Sequence, residues 1–185
     1  MGRYRQGFTL LELSLTLLVM GMVTALAVPA LFSQSDQQRL ELAAGQIAGA
    51  LRFARDEALR IGLPQAVVTE IPGSGRISVH ALDSSGAYPL PGALGYDPFT
   101  KQPYDFNPTT APMTSGVTVT NSAAPFDYAG LGVQTGVYFN ANGTPFFVPA
   151  SGVPYLLTSA AIVLVAGGQQ RTVSLDRISG RVRIQ

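Results

Sequence analysis

The sequence predicts an α+β protein in which one long N-terminal helix packs against the antiparallel β-sheets of a globular head. Two observations predict this fold. Apolar residues recur at helical spacing in the N-terminal third of the chain, and short strand-like runs separated by glycine-rich turns make up most of the remainder. Because the helix comes first and the strands follow it, we expect one helical layer on a sheet layer.

The first half of the predicted helix is an apolar run from Phe8 to Phe32. This run has 25 residues and a single charged side chain, Glu12. As an α-helix it is about 37 Å long, at ~1.5 Å per residue. That length is enough to cross a hydrocarbon core of roughly 30 Å, so the run is predicted to be a membrane helix.

A short basic leader precedes the apolar run. Two arginines, Arg3 and Arg5, come before it, and no charge follows it until Asp36. The positive-inside bias therefore predicts a cytoplasmic N-terminus and an exported head. The expected organisation is a leader over residues 1–7, a transmembrane helix over 8–32, and an amphipathic helix with a β-rich head over 33–185.

The second half of the predicted helix, from Gln38 to Ile61, is amphipathic. Gly62 and Pro64 then provide a typical helix end. Apolar residues recur at spacings of three and four, as expected for a surface helix with one buried stripe. The members of this stripe are Leu40, Ala43, Ala44, Ile47, Leu51, Ala54 and Ala58.

Strand signals begin after the helix. Three turn signals, Pro72–Gly75, Asn140–Gly143 and Gly167–Gly168, predict hairpins. Residues 83–115 show no period and are predicted to form a long irregular loop, and residues 130–136 a glycine-rich link. The predicted strands cover residues 65–70, 76–81, 117–120, 137–139, 144–148, 160–166, 171–175 and 180–185.

Composition argues against an enzyme or a metalloprotein. The chain of 185 residues has no cysteine, one histidine and a net charge of +1. A thiolate metal site and a histidine cluster are thereby excluded. Asp97 and Asp105 lack the regular spacing of a calcium loop, and His80 has no recognisable nucleophile beside it. We expect no catalytic residues, no cofactor and no bound metal.

The junction of leader and helix, Gly7-Phe8-Thr9-Leu10-Leu11-Glu12, resembles the type III signal of type IV pilins and type II secretion pseudopilins. The resemblance implies that a prepilin peptidase cuts after Gly7 and that Phe8 becomes an N-methylated terminus. It also implies that Glu12 guides the assembly of subunits into a filament.

The chemistry of Glu12 agrees with this resemblance. An acidic residue within a membrane helix is costly and usually has a partner. Cleavage after Gly7 creates an α-amino cation four residues before Glu12. In a filament, the amine of one subunit can neutralise Glu12 of its neighbour and thereby set the register between subunits. The alternative is that Glu12 only extends to the membrane interface.

A second resemblance concerns the head. The segments Arg52–Gly62, Tyr138–Pro145 and Ser179–Arg183 are similar to the corresponding parts of the GspH/FimT-type minor pilins and pseudopilins. This resemblance implies a structural subunit of a type IV pilus or of a type II secretion pseudopilus. Its partners would be other pilin or pseudopilin subunits, the prepilin peptidase and, before assembly, inner-membrane lipid.

A basic tail suggests an alternative function. Gly180-Arg181-Val182-Arg183 resembles a motif of DNA-binding FimT-type minor pilins that aid DNA uptake, and Arg171 and Arg177 lie nearby in sequence. In a strand, Arg181 and Arg183 project from one face, where they can contact the phosphates of duplex DNA. The same arginines can instead protect an edge strand from aggregation. A major pilin is a third, weaker alternative.

Overall fold

The computed structural model describes residues 9–81, 93–97 and 101–185, without the side chains of residues 25–34. The predicted leader with Gly7, the new terminus Phe8 and part of the predicted membrane helix lie outside the described residues. The same holds for most of the first half of the predicted loop over residues 83–115.

The helix α1 spans Leu10–Ile61 and is the only helix in the described part of the chain. The chain divides into two compact units, Met1–Ser35 and Asp36–Gln185, and α1 contributes to both. By length and hydropathy, the described residues contain no helix that could cross a membrane. We call the second unit the head; it contains the second half of α1 and the β-strands.

Short strands follow α1 along the chain. In chain order they are β1 (Gln65–Thr69), β2 (Ile77–Ala81), β3 (Asp105–Phe106), β4 (Thr118–Val119), β5 (Phe126–Tyr128), β6 (Gly132–Gln134), β7 (Gly136–Phe139), β8 (Pro145–Phe147), β9 (Tyr155–Ala166), β10 (Gln169–Leu175) and β11 (Val182–Ile184). The predicted α+β class is confirmed, because the helix packs on an antiparallel sheet.

The strands form one antiparallel sheet with β11 at one end and β3 at the other. Its main path is β11-β10-β9-β8-β7-β1-β2-β3. The long strand β9 holds the sheet together. Its first residues pair with β8 and β5, and its last residues pair with β10 and β4. The sheet can therefore curl around the helix while each part keeps its backbone hydrogen bonds.

The core lies between α1 and one face of the sheet. Every member of the predicted apolar stripe of α1 is buried, and it packs against inward-facing strand residues such as Val67, Phe139 and Leu164. Small alanines on the helix let its backbone approach the sheet closely. The helix is also close to the segment before β3, because a Cβ added at Gly49 would lie 3.2 Å from the Tyr104 hydroxyl.

The turn between β9 and β10 shows how glycine fixes the hairpin. Gly167 and Gly168 both have positive φ, +54° and +78°, as a two-residue hairpin turn requires. Gly167 also lies against Asp36 at the start of the head, where a Cβ would overlap the carboxylate. Both glycines are thus required by the backbone conformation, and Gly167 is also required by space.

Three strands were not predicted from the sequence. β3 lies in the segment predicted to be an irregular loop, and β6 lies in the predicted glycine-rich link. β5 belongs to the core, because the Tyr128 side chain is buried and its hydroxyl donates to the Gly136 carbonyl at 3.0 Å. β6 pairs with β5 and is largely exposed. Burial raises the pKa of the Tyr128 hydroxyl, so this group remains a neutral donor.

The buried stripe of α1 can be tested by truncation. Leu51 is 1% exposed, and Leu51→Ala leaves a cavity, so we expect the free energy of unfolding to fall by about 2–5 kcal/mol. Leu42→Ala is the control, since Leu42 on the same helix is 50% exposed. The measurement is urea unfolding of the detergent-solubilised chain, followed by near-ultraviolet circular dichroism. Equal losses in both variants would contradict the assigned face.

Candidate functional site

The start of α1 is defined by a side-chain cap. The Thr9 hydroxyl accepts a hydrogen bond from the Glu12 backbone N–H at 3.2 Å, and the Thr9 carbonyl accepts the Leu13 N–H at 3.1 Å. Thr9 is therefore the N-cap, and Glu12 is the third residue of the helix. This Thr-x-x-Glu spacing is that of a capping box. The sequence contained this signal, but the role of Thr9 was not predicted.

Glu12 lies in the first turn of α1 with an exposed side chain. A carboxylate in the first turn interacts favourably with the positive end of the helix dipole. Glu12 thus has a local reason to be in this position, in addition to its expected role in assembly.

Beyond Glu12, the described side chains of the first unit form an uncovered apolar surface. Every described residue from Thr9 to Thr24 is exposed. The large apolar residues among them are Leu10, Leu11, Leu13, Leu15, Leu17, Leu18, Val19, Met20, Met22 and Val23. Apolar surface of this extent is unfavourable in water.

The four candidate DNA-binding arginines do not share one face of the sheet. Arg171 lies opposite the buried Leu164, so it is on the side that faces α1, and its guanidinium lies 3.5 Å from the Glu41 carboxylate. Arg183 lies opposite Ser174, on the other side of the sheet. Alternation along the strand places Arg181 on the same side as Arg183. The structure therefore separates Arg171 from the basic tail.

Arg177 lies in the turn between β10 and β11, which Asp176 organises. The Asp176 carboxylate accepts hydrogen bonds from the Ser179 N–H and hydroxyl, both at 2.7 Å, and from the Ile178 N–H at 3.2 Å. The backbone hydrogen bond from Ser179 is the main cause that lowers the pKa of Asp176, followed by the Ser179 hydroxyl. The one acidic side chain of the tail is thus engaged by the turn itself.

A helix arginine holds this turn against the head. The Arg55 guanidinium Nε donates to the Ser179 carbonyl at 3.0 Å. Next to it, Gly180 has φ +63°, and a Cβ there would overlap the Gly143 carbonyl oxygen. The turn after β10, the turn after β7 and α1 therefore meet at one point. This contact fixes the position of the basic tail.

The part of the segment 83–115 that the structure describes is attached to the helix and the sheet. Tyr104 stacks on Phe53 with ring centroids 4.9 Å apart, and burial raises the pKa of the Tyr104 hydroxyl. Asp105 accepts from Arg76 at 2.7 Å through Oδ1 and forms a second contact through Oδ2. Arg76 engages both oxygens and lowers the pKa of Asp105. This carboxylate therefore has a structural role.

Neither the Ser78–His80 pair nor the cavity beside Tyr104 gives a catalytic arrangement in the described residues. The Ser78 hydroxyl lies 2.8 Å from His80 Nε2, and Asp105 stands opposite Ser78 in the ladder, but Arg76 holds that carboxylate. A cavity of about 350 Å³ beside α1 has no serine, histidine or cysteine among its described lining residues. No described group of three acidic, histidine or cysteine residues could hold a metal ion.

Comparisons with solved structures identify the fold. The Vibrio cholerae type 2 secretion minor pseudopilin EpsH is 14% identical, covers 80% of this chain and 96% of its own, and has a TM-score of 0.50. The chain has a pilin-type fold. The Pseudomonas aeruginosa type IV minor pilin FimU is 17% identical over 82% of this chain and 90% of its own, with a TM-score of 0.46. The sequence matches no family model and none of the curated proteins.

The turn that carries Arg177 can be tested through the pKa of Asp176. We expect nuclear magnetic resonance to give a pKa below the ordinary value of about 3.9. Ser179→Ala should raise this pKa only part of the way, because the stronger backbone hydrogen bond remains. Since the folded pKa is depressed, the stabilisation is present above the unfolded pKa and is lost as pH falls through the folded one. An ordinary pKa in the unmodified chain would contradict the turn geometry.

Proposed function

We propose that the chain is a minor pilin or minor pseudopilin, a structural subunit of a type IV pilus or of a type II secretion pseudopilus, without enzymatic activity. The observation that carries the proposal is the capped helix start. Thr9 and Glu12 begin α1 directly after Gly7-Phe8, and the helix continues into a head of pilin-type fold.

The first step of the proposed cycle is insertion into the inner membrane. The exposed apolar side chains between Leu10 and Val23 need a nonpolar environment, and lipid supplies it before assembly. The basic leader keeps the N-terminus in the cytoplasm, so the head lies in the periplasm. A prepilin peptidase then cuts after Gly7, and Phe8 becomes the methylated terminus.

The second step is transfer from lipid to a filament. Other helices replace lipid around the apolar surface of α1, and the heads face outward. Glu12 sits in the first turn, four residues from the new α-amine, so a neighbour's amine can reach it as subunits stack. A subunit out of register leaves an unpaired carboxylate in an apolar interior, which is strongly unfavourable.

Binding of duplex DNA by a minor pilin that aids DNA uptake is a second candidate function. It is supported by Arg177, Arg181 and Arg183, which have no ion pair within the described residues. Arg171 does not join them, because it lies on the opposite face of the sheet near Glu41. Three arginines can contact only a few phosphates, so such binding would be weak and steeply salt-dependent.

Two variants distinguish the proposed role of Glu12 in filament assembly from its role in the helix cap. Glu12→Gln removes the charge but keeps a side chain suited to a capping box. Thr9→Ala removes the cap and keeps the charge. We expect Glu12→Gln to lower the amount of the chain in sheared filaments several-fold, with normal membrane insertion and cleavage, and Thr9→Ala to lower it less.

The measurement is an immunoblot of sheared filaments and of membranes from the same cells. Equal incorporation of Glu12→Gln and the unmodified chain would show that charge pairing is not needed. Absence of the unmodified chain from every filament fraction would contradict the proposed function itself.

A further inference from the structure

The last strand of the sheet, β11, has an open edge. In the described part of the chain β11 pairs with β10 alone. Thr172 and Gln185 exchange both backbone hydrogen bonds at 2.9 Å, and the Asp176 N–H donates to the Arg181 carbonyl. Antiparallel ladders alternate between bonded and non-bonded pairs. The backbone N–H and C=O groups of Val182 and Ile184 therefore point away from β10, toward the open edge.

The side chains along this edge alternate between apolar residues and arginines. Val182 lies opposite Leu175 and packs against the core. Ile184 lies opposite the buried Val173 but is 40% exposed, because no strand of the described part of the chain lies beyond it. On the other side of the sheet are Arg181 and Arg183, both exposed. An added strand would thus meet apolar side chains on the helix side and arginines on the outer side.

The positive charge of this edge limits which strand could pair with it. Arg181 and Arg183 have no ion pair within 4 Å in the described residues. The Asp176 carboxylate attracts Arg183 electrostatically, but its hydrogen bonds come from its own turn. A second copy of β11 would place arginines near arginines, which is unfavourable. At the other end of the main path, β3 offers Asp105, but Arg76 already engages that carboxylate. β4 and β6, which lie off this path and pair on one side only, carry no acidic residue. Among the described strands, another copy therefore offers no open edge with an available carboxylate.

We propose that the open edge of β11 binds an extended, acidic segment of another protein, which adds to the sheet as a further strand. The segment alternates apolar residues, which cover Val182 and Ile184, with glutamates or aspartates, which pair with Arg181 and Arg183. Backbone hydrogen bonds to Val182 and Ile184 supply affinity, and the alternation supplies specificity. This site goes beyond the proposed role as a filament subunit and does not depend on it.

The alternation of backbone hydrogen bonds along β11 identifies a substitution that affects only the open edge. The Ile184 N–H points to the open edge, so Ile184→Pro removes a donor that β10 does not use. Ile184→Ala is the matched control, since it shortens the side chain and keeps the donor. The double variant Arg181→Glu, Arg183→Glu reverses the charge on the outer side. Circular dichroism and exchange protection of β9 and β10 amides verify that each variant is folded.

The probe is a labelled, blocked peptide of alternating glutamate and valine. Its binding to the detergent-solubilised full chain is measured by fluorescence anisotropy at low salt. We expect binding to weaken about fivefold in Ile184→Pro beyond the effect of Ile184→Ala, for the loss of one hydrogen bond. Charge reversal should abolish it. On binding, hydrogen exchange should slow at the Val182 and Ile184 amides, whereas the Arg183 amide is already protected by β10.

Two further ligands define the outcomes that overturn the proposal. A peptide of the same composition, with its glutamates and valines in separate blocks, should bind more weakly; equal binding would mean that charge alone acts. Duplex DNA tests the competing use of the arginines. DNA binding that Ile184→Pro leaves unchanged, together with no peptide binding by the unmodified chain, would assign the edge to phosphate contacts. Equal peptide affinity in Ile184→Pro and Ile184→Ala would likewise exclude strand addition.

Discussion

Close packing of the alanine-rich stripe of α1 against the sheet is the contact on which the rest of the head depends. Ala43, Ala44, Ala54 and Ala58 have no exposed surface. Their small size brings the helix backbone near the strands, so long side chains at the border of the stripe can reach past the sheet. Arg55 does this, and it contacts the Ser179 carbonyl. A larger side chain in the stripe would move the helix outward and release the turn that carries the basic tail.

The sequence predicted the elements with a strong local pattern. The period of α1 identified its buried stripe correctly, and Asn140–Gly143 and Gly167–Gly168 marked true hairpins. β5 and β6 were missed because they are three residues each and begin or end near glycines, so no alternation is visible. β5 becomes a strand through pairing with β9, a long-range contact that local propensity does not encode, and β6 then pairs with β5.

In the candidate site, too, local signals could be predicted from the sequence and long-range contacts could not. Thr9 could have been identified as the cap from its spacing to Glu12, which is a local signal. The separation of Arg171 from Arg183 was not predictable, because it depends on the register of β9, β10 and β11. A shift of one residue would move a side chain to the other face of the sheet. Sequence proximity therefore grouped arginines that the fold divides.

These features give the chain two surfaces with different chemistry. The first unit presents exposed apolar side chains and a single carboxylate, which suits burial among lipids or other helices. The head presents a sheet edge with outward backbone groups and exposed arginines, which suits the proposed recognition of an extended, acidic partner. Assembly and recognition can therefore be changed by separate substitutions, Glu12→Gln in one unit and Ile184→Pro in the other.

A filament subunit of the proposed kind is processed first and assembled afterwards. Both steps are tested by the intact mass of the chain recovered from sheared filaments of cells with an active prepilin peptidase. We expect a chain that begins at Phe8, lacks Met1 to Gly7 and carries one added methyl group. A filament-associated chain that retains Met1 to Gly7 would contradict it.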